Sequence, residues 1–431
     1  MKIGIDISVL QTGHRMRGIG STLINFIKNI PSDEKNKHDF VFYFQPTEDL
    51  DNPLDLLDLS GINYTVRSLK SPKQYDVGLP GPLNMVFNAG IRFFQLRKNI
   101  LFGDDRLNDL KDIDYFLQFD QNRPLPARHK VKSAIIAYDI IPYVLEADYL
   151  WSYSTARARG CSMKGALRFS LARYFYKINT RAIMRKAHRL LAISEHTKND
   201  LVNYMGLNPD KISICLLGVD LGQKHVSSNE PKFNRYVLTS WGNVPQPIRI
   251  EKTKFLLFIG GVDQRRKVTD LVAAFNNLRA RGENIKLVLA GDTMYGPATV
   301  PNVDLQKYFL NTSYIDDVIF MGFITREQRD WLYQHALAFI YPSIYEGFGL
   351  PVLEAMSYGC PVIAYPNSVT KEVAGGNCLY AENYQDIFDQ VVYLLTQKTV
   401  VLNNIRLKGE TQASRFSWAK TSKNILSILI D

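Results

Sequence analysis

The chain has 431 residues, 46% of them hydrophobic, and a formal net charge of +10 from 52 basic and 42 acidic side chains. That length suggests two or three domains with large cores, and apolar runs such as Phe255 to Ile259 are far too short to cross a bilayer. Asp6 inside the apolar N-terminal run argues for a first strand and against a signal peptide. The scattered Cys161, Cys215, Cys360 and Cys378 have neither metal-ligand spacing nor disulfide density, which fits a reducing cytoplasm.

Residues 2–7 alternate as a strand, and Leu23, Phe26, Ile27 and Ile30 recur at helical spacing. Residues 40–44 read as the next strand. Residues 46–112 are the least legible, although 83–99 within them has an amphipathic helical pattern with a basic end. Strands fit 115–119, 132–137, 190–193 and 212–217, and Ser194 suits the N-cap of a helix through Val202. Between 149 and 194 there is no Asp or Glu but ten Lys or Arg, interleaved with aromatics such as Trp151, Tyr153 and Tyr174. Such a segment fits anionic lipid headgroups or a polyanionic acceptor, or else a solvated helical face over packed rings. No nucleic-acid-binding motif accompanies it, so nucleic acid is not an expected partner.

The polar, proline-bearing stretch 221–252 reads as an interdomain linker. A second alternation follows, with strands at 255–259, 286–290, 318–321, 337–341 and 361–364 and helices at 269–281, 326–334, 351–358 and 384–397. Strands alternating with helices imply parallel βαβ units. Two such blocks make an α/β protein of two doubly wound domains, whose ligands bind at the carboxyl ends of the strands.

The chemistry concentrates in YPSIYEGFGLPVLEAMSYGCPVIA, residues 341–364. Glu346 and Glu354 stand with seven residues between them around a glycine-rich turn. Pro351 suits the first turn of a helix, where its missing N–H has no partner to lose. A helix start offers free N–H groups and a partial positive charge to a phosphate, and glycines let backbone approach a ligand. One carboxylate in the loop and one a turn into the helix can grip hydroxyl-rich groups on either side of a diphosphate.

This string resembles the signature of the family 4 retaining glycosyltransferases: Glu, seven residues, Glu, with Gly-Phe-Gly-Leu-Pro after the first and Glu-Ala-Met at the second. The resemblance implies the GT-B fold, two Rossmann-like domains facing across a cleft, with a C-terminal helix crossing back to the N-terminal domain. The expected domains are 1–235, completed by 415–431, and 250–414. The resemblance implies that Glu354 holds the donor's ribose hydroxyls and Glu346 its sugar, with the backbone of Phe348, Gly349 and Leu350 on sugar hydroxyls and phosphate. Gly260-Gly261 followed by Arg265-Arg266-Lys267 resembles the family's glycine and Arg-Lys turn, which assigns Arg266 and Lys267 to the diphosphate. Cations there stabilise the leaving group as the glycosidic bond breaks, and with no Asp-x-Asp motif nearby no divalent metal or other cofactor is expected.

Other landmarks are weaker. Gly18-Ile19-Gly20 resembles a loop of mannosyl- and rhamnosyltransferase-like members, with Ser21-Thr22 in place of Arg-Tyr, and implies backbone contact with donor phosphate or acceptor. Gly322-Phe323 resembles the turn that holds the nucleobase. Tyr138-Asp139 stands where the family has His-Asp, and a phenol of ordinary pKa near 10 is a poor base at neutral pH. The expected activity is transfer of a sugar from a nucleotide-diphosphate sugar to a hydroxyl, in surface polysaccharide or glycan assembly. GDP-mannose is favoured over dTDP-rhamnose and UDP-sugars, with a glycan or lipid-linked acceptor. The expected location is the cytoplasm, with peripheral attachment to the inner membrane face as a further option. A non-catalytic partner subunit and a sugar-nucleotide epimerase are the alternatives.

Overall fold

The structure is a computed structural model, and it describes residues 1–13, 15, 18–45, 52–68, 110–123, 125, 131–221, 230–239, 242–250, 252–291 and 313–430. The amphipathic stretch 83–99 and Arg17 lie outside the described residues. The chain forms two compact units, Met1–Gly218 with Trp418–Asp431, and Val219–Ser417.

The first unit is built on seven parallel strands: β1 (Lys2–Asp6), β2 (Asp39–Phe44), β3 (Tyr64–Ser68), β4 (Tyr115–Gln118), β5 (Lys132–Ala137), β6 (Arg189–Ala192) and β7 (Ile212–Ile214). Their order is β3-β2-β1-β4-β5-β6-β7. All of β4 and most of β5 are buried, as expected of parallel strands covered on both faces. Helices α1 (Gly18–Lys28), α2 (Met163–Lys186) and α3 (Glu195–Met205) accompany them. Ser194 caps α3 by accepting a hydrogen bond from the Thr197 N–H. The C-terminal helix Trp418–Ile430 belongs here because its apolar face, Trp418, Ile425, Leu426 and Leu429, is buried. Ser422 donates to the Phe26 carbonyl of α1, and Thr421 to that of Leu216.

The second unit opens with an antiparallel hairpin, β8 (Phe233–Thr239) and β9 (Gly242–Ile248). Six parallel strands follow: β10 (Phe255–Ile259), β11 (Lys286–Ala290), β12 (Val318–Gly322), β13 (Ala338–Tyr341), β14 (Val362–Ala364) and β15 (Leu379–Tyr380). They lie in the order β12-β11-β10-β13-β14-β15, with helices α4 (Val268–Ala280), α5 (Arg326–His335) and α6 (Leu350–Ser357) among the connections. Leu256, Phe258, Leu271, Phe275, Leu278, Leu287 and Ile340 form one buried cluster. Each such side chain contributes about 1.5–3 kcal/mol.

The stretch read as a linker is therefore corrected in part. Its Pro245 and Pro247 sit inside β9 opposite Tyr236 and Asn234. In a two-stranded ribbon each strand is an edge, so a residue without an N–H is tolerated. The Phe233 ring packs edge-on against buried Trp331 of α5, with centroids 5.4 Å apart. The Gln328 amide donates to the Lys232 carbonyl. The hairpin thus belongs to the second unit, and the break falls at Gly218/Val219 instead of beyond residue 235.

Candidate functional site

In the second sheet the strand order reverses at β10 and β13, which are adjacent and parallel. Crevices at the carboxyl ends of such strands are where doubly wound sheets bind ligands. β10 exits through Gly260 and Gly261 into a one-turn helix, Gln264–Arg266. β13 exits through Pro342 into the loop that carries Glu346. The two loops are tied by the Ile344 N–H, which donates to the Arg265 carbonyl at 2.8 Å.

Glu346, only 8% exposed, is the centre of this crevice. One carboxylate oxygen accepts from Arg265 Nη1 at 2.5 Å, from Arg266 Nε at 3.1 Å and from Ser343 Oγ at 3.0 Å. Burial alone would raise its carboxyl, but Arg265, Arg266 and Ser343 outweigh burial and the pKa is lowered to about 2. Glu346 is therefore ionised throughout the neutral range. Arg266 also donates through Nη1 to the Gly261 carbonyl at 2.8 Å, which fixes its guanidinium beneath the β10 exit.

Helix α6 begins beside this cluster in sequence. Its N-cap is Gly349 at φ +86°, a conformation that side chains disfavour. Pro351 sits in the first turn, the Val352 N–H donates to the Gly349 carbonyl at 2.9 Å, and the Leu350 N–H has no helical acceptor. Glu354 lies in α6, half-buried, and accepts from Arg329 Nη1 at 3.0 Å and from the Tyr333 hydroxyl at 3.3 Å. Burial raises its carboxyl, and Arg329 and Tyr333 pull in the opposite direction.

Residues 243–402 match the family profile described as "Glycosyl transferases group 1". The chain carries a group 1 glycosyltransferase domain. It lies within the second unit, the one that holds both glutamates. O-antigen chain mannosyltransferase B of Escherichia coli is 25% identical over 261 residues, covering 58% of this chain and 64% of that protein. The serotype-specific mannosyltransferase WbdA of Escherichia coli is 24% identical over 301 residues, 68% of this chain and 32% of that protein. The chain thus spans less than two-thirds of the length of these curated relatives. The crystal structure of Anabaena Alr3699/HepE in complex with UDP and glucose is similar in fold, with a TM-score of 0.61 at 15% identity, covering 100% of this chain and 99% of that one. The shared fold is GT-B.

Within the glycosyltransferase domain, Glu346 and Arg266 are brought together as ion partners, and Gly349 and Leu350 form the start of α6. Phe348 is buried, its ring 6.0 Å from that of Phe416, so only its backbone is left for a ligand. Phe323, following β12, is 79% exposed. The Lys267 N–H donates to the Gln264 carbonyl and its carbonyl accepts from the Asp270 N–H, while its side chain makes no hydrogen bond or ion pair with another described residue. It is the single non-glycine residue at positive φ among them, at +39°, and forms the N-cap of α4. An αL lysine costs about 1–2 kcal/mol. The arginine that reading by motif passed over is Arg265, which is more buried than Arg266 and closer to Glu346. Ser343, Arg329 and Tyr333 were also missed, since none belongs to a local pattern.

The first unit holds the remaining landmarks. Its strand order reverses at β1 and β4. There buried Asp6 accepts from the Ser8 N–H and hydroxyl and pairs with Arg123 at 3.4 Å, a pair the sequence had not singled out. Gly20 is required by close approach, because a methyl group on it would lie 2.3 Å from the Arg15 carbonyl oxygen. Gly18 opens α1, and its carbonyl accepts from the Thr22 hydroxyl. Tyr138 follows β5. Its N–H donates to Gln121 and its carbonyl accepts from Thr197, but its hydroxyl is buried without a hydrogen-bond acceptor among the described residues. Burial pushes the phenol well above its ordinary value, with Thr22 opposing. It keeps its proton at neutral pH and cannot serve as a base.

Proposed function

We propose that the protein transfers a sugar from a nucleotide-diphosphate sugar to a hydroxyl acceptor, with retention of configuration. The observation that carries this reading is the ionised Glu346 held between two arginines at the β10/β13 reversal. Glu346 accepts hydrogen bonds from the donor sugar, and Glu354 from the ribose. Arg266 and the Leu350 N–H at the start of α6 take the diphosphate. Lys267 is a further cation for it from the adjoining turn. As the bond from the sugar to the phosphate oxygen breaks, negative charge grows on the leaving diphosphate. Preplaced cations stabilise that charge, and each charge-assisted hydrogen bond contributes about 1.5–3 kcal/mol. This reading places the positive charge in side chains and needs no divalent ion. The acceptor oxygen bonds to the same face of the sugar, and its proton passes to a leaving phosphate oxygen.

GDP-mannose is the favoured donor, supported by relatives named as O-antigen mannosyltransferases. UDP-sugars remain the comparison, because the HepE structure was solved with UDP and glucose. A lipid-linked glycan acceptor at an anionic inner membrane face fits α2, which contains no acidic residue. Met163, Leu167 and Tyr174 are exposed along it at 67%, 55% and 58%, at spacings that share one helical face. Among the described residues no helix is long and apolar enough to cross a membrane.

The test is a thermal-shift screen of GDP-mannose, dTDP-rhamnose and UDP-glucose, followed by NMR of the product's anomeric centre. A ligand at 100 times its dissociation constant stabilises by about 2.7 kcal/mol. Stabilisation by none of the three, with no sugar transfer, would reject the reading.

A further inference from the structure

Resting on the donor-site reading above, we propose that Arg329 is a positioning residue for Glu354: buttressed by Asp330, it fixes that carboxylate as an acceptor for the hydroxyl pair of a nucleoside. Arg329 lies on α5, twenty-five positions before Glu354, and no motif points to it. Its Nη1 donates to Glu354 Oε1 at 3.0 Å, while Nε and Nη2 both donate to Asp330 Oδ1, at 3.1 and 2.9 Å. Three guanidinium contacts on two carboxylates define one orientation of a planar group. Tyr333, one helical turn on, donates its hydroxyl to the other oxygen of Glu354 at 3.3 Å. A carboxylate has about four acceptor sites, so each oxygen keeps capacity for a ligand hydroxyl. The side chains of Arg329, Glu354 and Asp330 are 26%, 24% and 14% exposed, so the network sits half-buried at the surface of the unit.

The charges around Glu354 give Arg329 a second task. Burial raises the Glu354 carboxyl, and Asp330 and Asp220 raise it further, while Arg329 and the Tyr333 hydroxyl lower it. Asp220 and Asp330 are themselves bridged by Arg326, at 2.7 and 3.7 Å. Of the other elements packed on α6, Ser368–Ala374 carries Lys371 and Glu372, and Thr399–Ala413 carries Lys408 together with Arg406 and Glu410, the last two beside Gly359. Arg329 is thus the only cation in direct contact with Glu354 among the described residues. Without it, a half-buried carboxyl facing two acids would take up a proton at higher pH than it does beside Arg329, and the ligand hydroxyls would lose a charged acceptor.

The experiment measures GDP, UDP and dTDP binding by calorimetry between pH 5.5 and 8.5 for the wild-type chain, Arg329→Leu, Arg329→Lys, Glu354→Gln and the Arg329→Leu/Glu354→Gln double variant. Arg329→Leu is expected to weaken binding about tenfold at pH 7 and to move the acid limb of the affinity profile upward by about one pH unit or more. Arg329→Lys restores most of both. In the Glu354→Gln background, Arg329→Leu changes affinity by less than about twofold, because its effect passes through the carboxylate. If Arg329→Leu does not fold, Arg329→Gln takes its place in the comparison. Unchanged affinity and pH profile in folded Arg329→Leu or Arg329→Gln would overturn the proposal, as would an equal loss with Glu354 already replaced. A wild-type chain that binds none of GDP, UDP and dTDP overturns the donor-site reading itself, and this inference with it.

Discussion

The two units repeat one architecture and fill it with different chemistry. Each sheet reverses its strand order once beside its first strand, at β1/β4 and at β10/β13, and each reversal holds a buried acid paired with arginine. In the first unit a single arginine, Arg123, sits 3.4 Å from Asp6, and Ser8 takes up the other contacts. In the second, two arginines converge on one oxygen of Glu346. Among the described residues, two guanidiniums therefore meet the acid of the second reversal, with Asp263 beside them, and one meets that of the first. Topology chooses where a doubly wound unit can bind. The charge count at that place decides what it binds.

The largest expected difference is between the two acids. Glu346→Ala should reduce turnover by 10²-fold or more, on the order found for a lost transition-state contact. It should also destabilise the fold by about 3 kcal/mol, since it takes the nearest carboxylate from buried Arg265 while Asp263, 3.4 Å away, still faces that guanidinium. Glu346→Gln separates the two effects, keeping most of the stability but little activity. Asp6→Asn should cost less than about tenfold in turnover, and an equal loss there would erase the contrast. The pH dependence has a definite sign. Because the Glu346 pKa is lowered to about 2, its stabilisation is complete above the ordinary carboxylate range and declines only as pH falls toward 2. Glu346→Gln should flatten that acid limb in a pH series of unfolding midpoints.

Next comes the arginine comparison. Arg266→Met should weaken donor affinity by about 10- to 100-fold, the equivalent of one charge-assisted hydrogen bond, whereas Arg123→Met should leave donor affinity within about threefold. Calorimetry with the same nucleotide reads both.

Lys267→Gly is a smaller test. Removing a side chain from αL backbone should stabilise the unit by about 0.5–1 kcal/mol after the added freedom of the unfolded chain is counted. If Lys267 meets the diphosphate, the same variant binds donor more weakly, and the opposed signs show a strained residue retained for binding. The smallest effect is expected from Tyr138→Phe. Losing a buried hydroxyl that has no acceptor should leave stability unchanged or raised by about 1 kcal/mol, with turnover within about twofold. A large loss would make that hydroxyl a donor to substrate and bring the first unit back into the chemistry.

Much of this was legible in the sequence wherever function and fold share a local stretch. Glu346, Gly349, Pro351 and Glu354 lie within nine residues and obey turn and helix rules as well as the family pattern. The alternation of strands and helices from 255 onward was equally clear. Reading failed where partners come from separate elements. Arg265 was passed over because a pattern ending in Arg-Lys was fitted to 266 and 267, while the backbone gives the second of these to a helix cap. Arg329 and Tyr333 face Glu354 only because α5 packs on α6. The hairpin was hidden by its own prolines, which argue against a strand unless both strands are edges. Helix α2 was visible as a run of charge but not as a 24-residue helix, since Glu146, which pairs with its Arg173 and Lys177, lies outside the run.

The central claim is that the donor's diphosphate binds at the β10/β13 reversal. A crystal of the protein soaked with GDP or UDP tests it most directly. The account predicts diphosphate density against Arg266 and the first turn of α6, with the ribose hydroxyls on Glu354. A nucleotide bound instead beside Asp6 and Arg123, or one leaving Arg266 and Glu354 untouched, would contradict it.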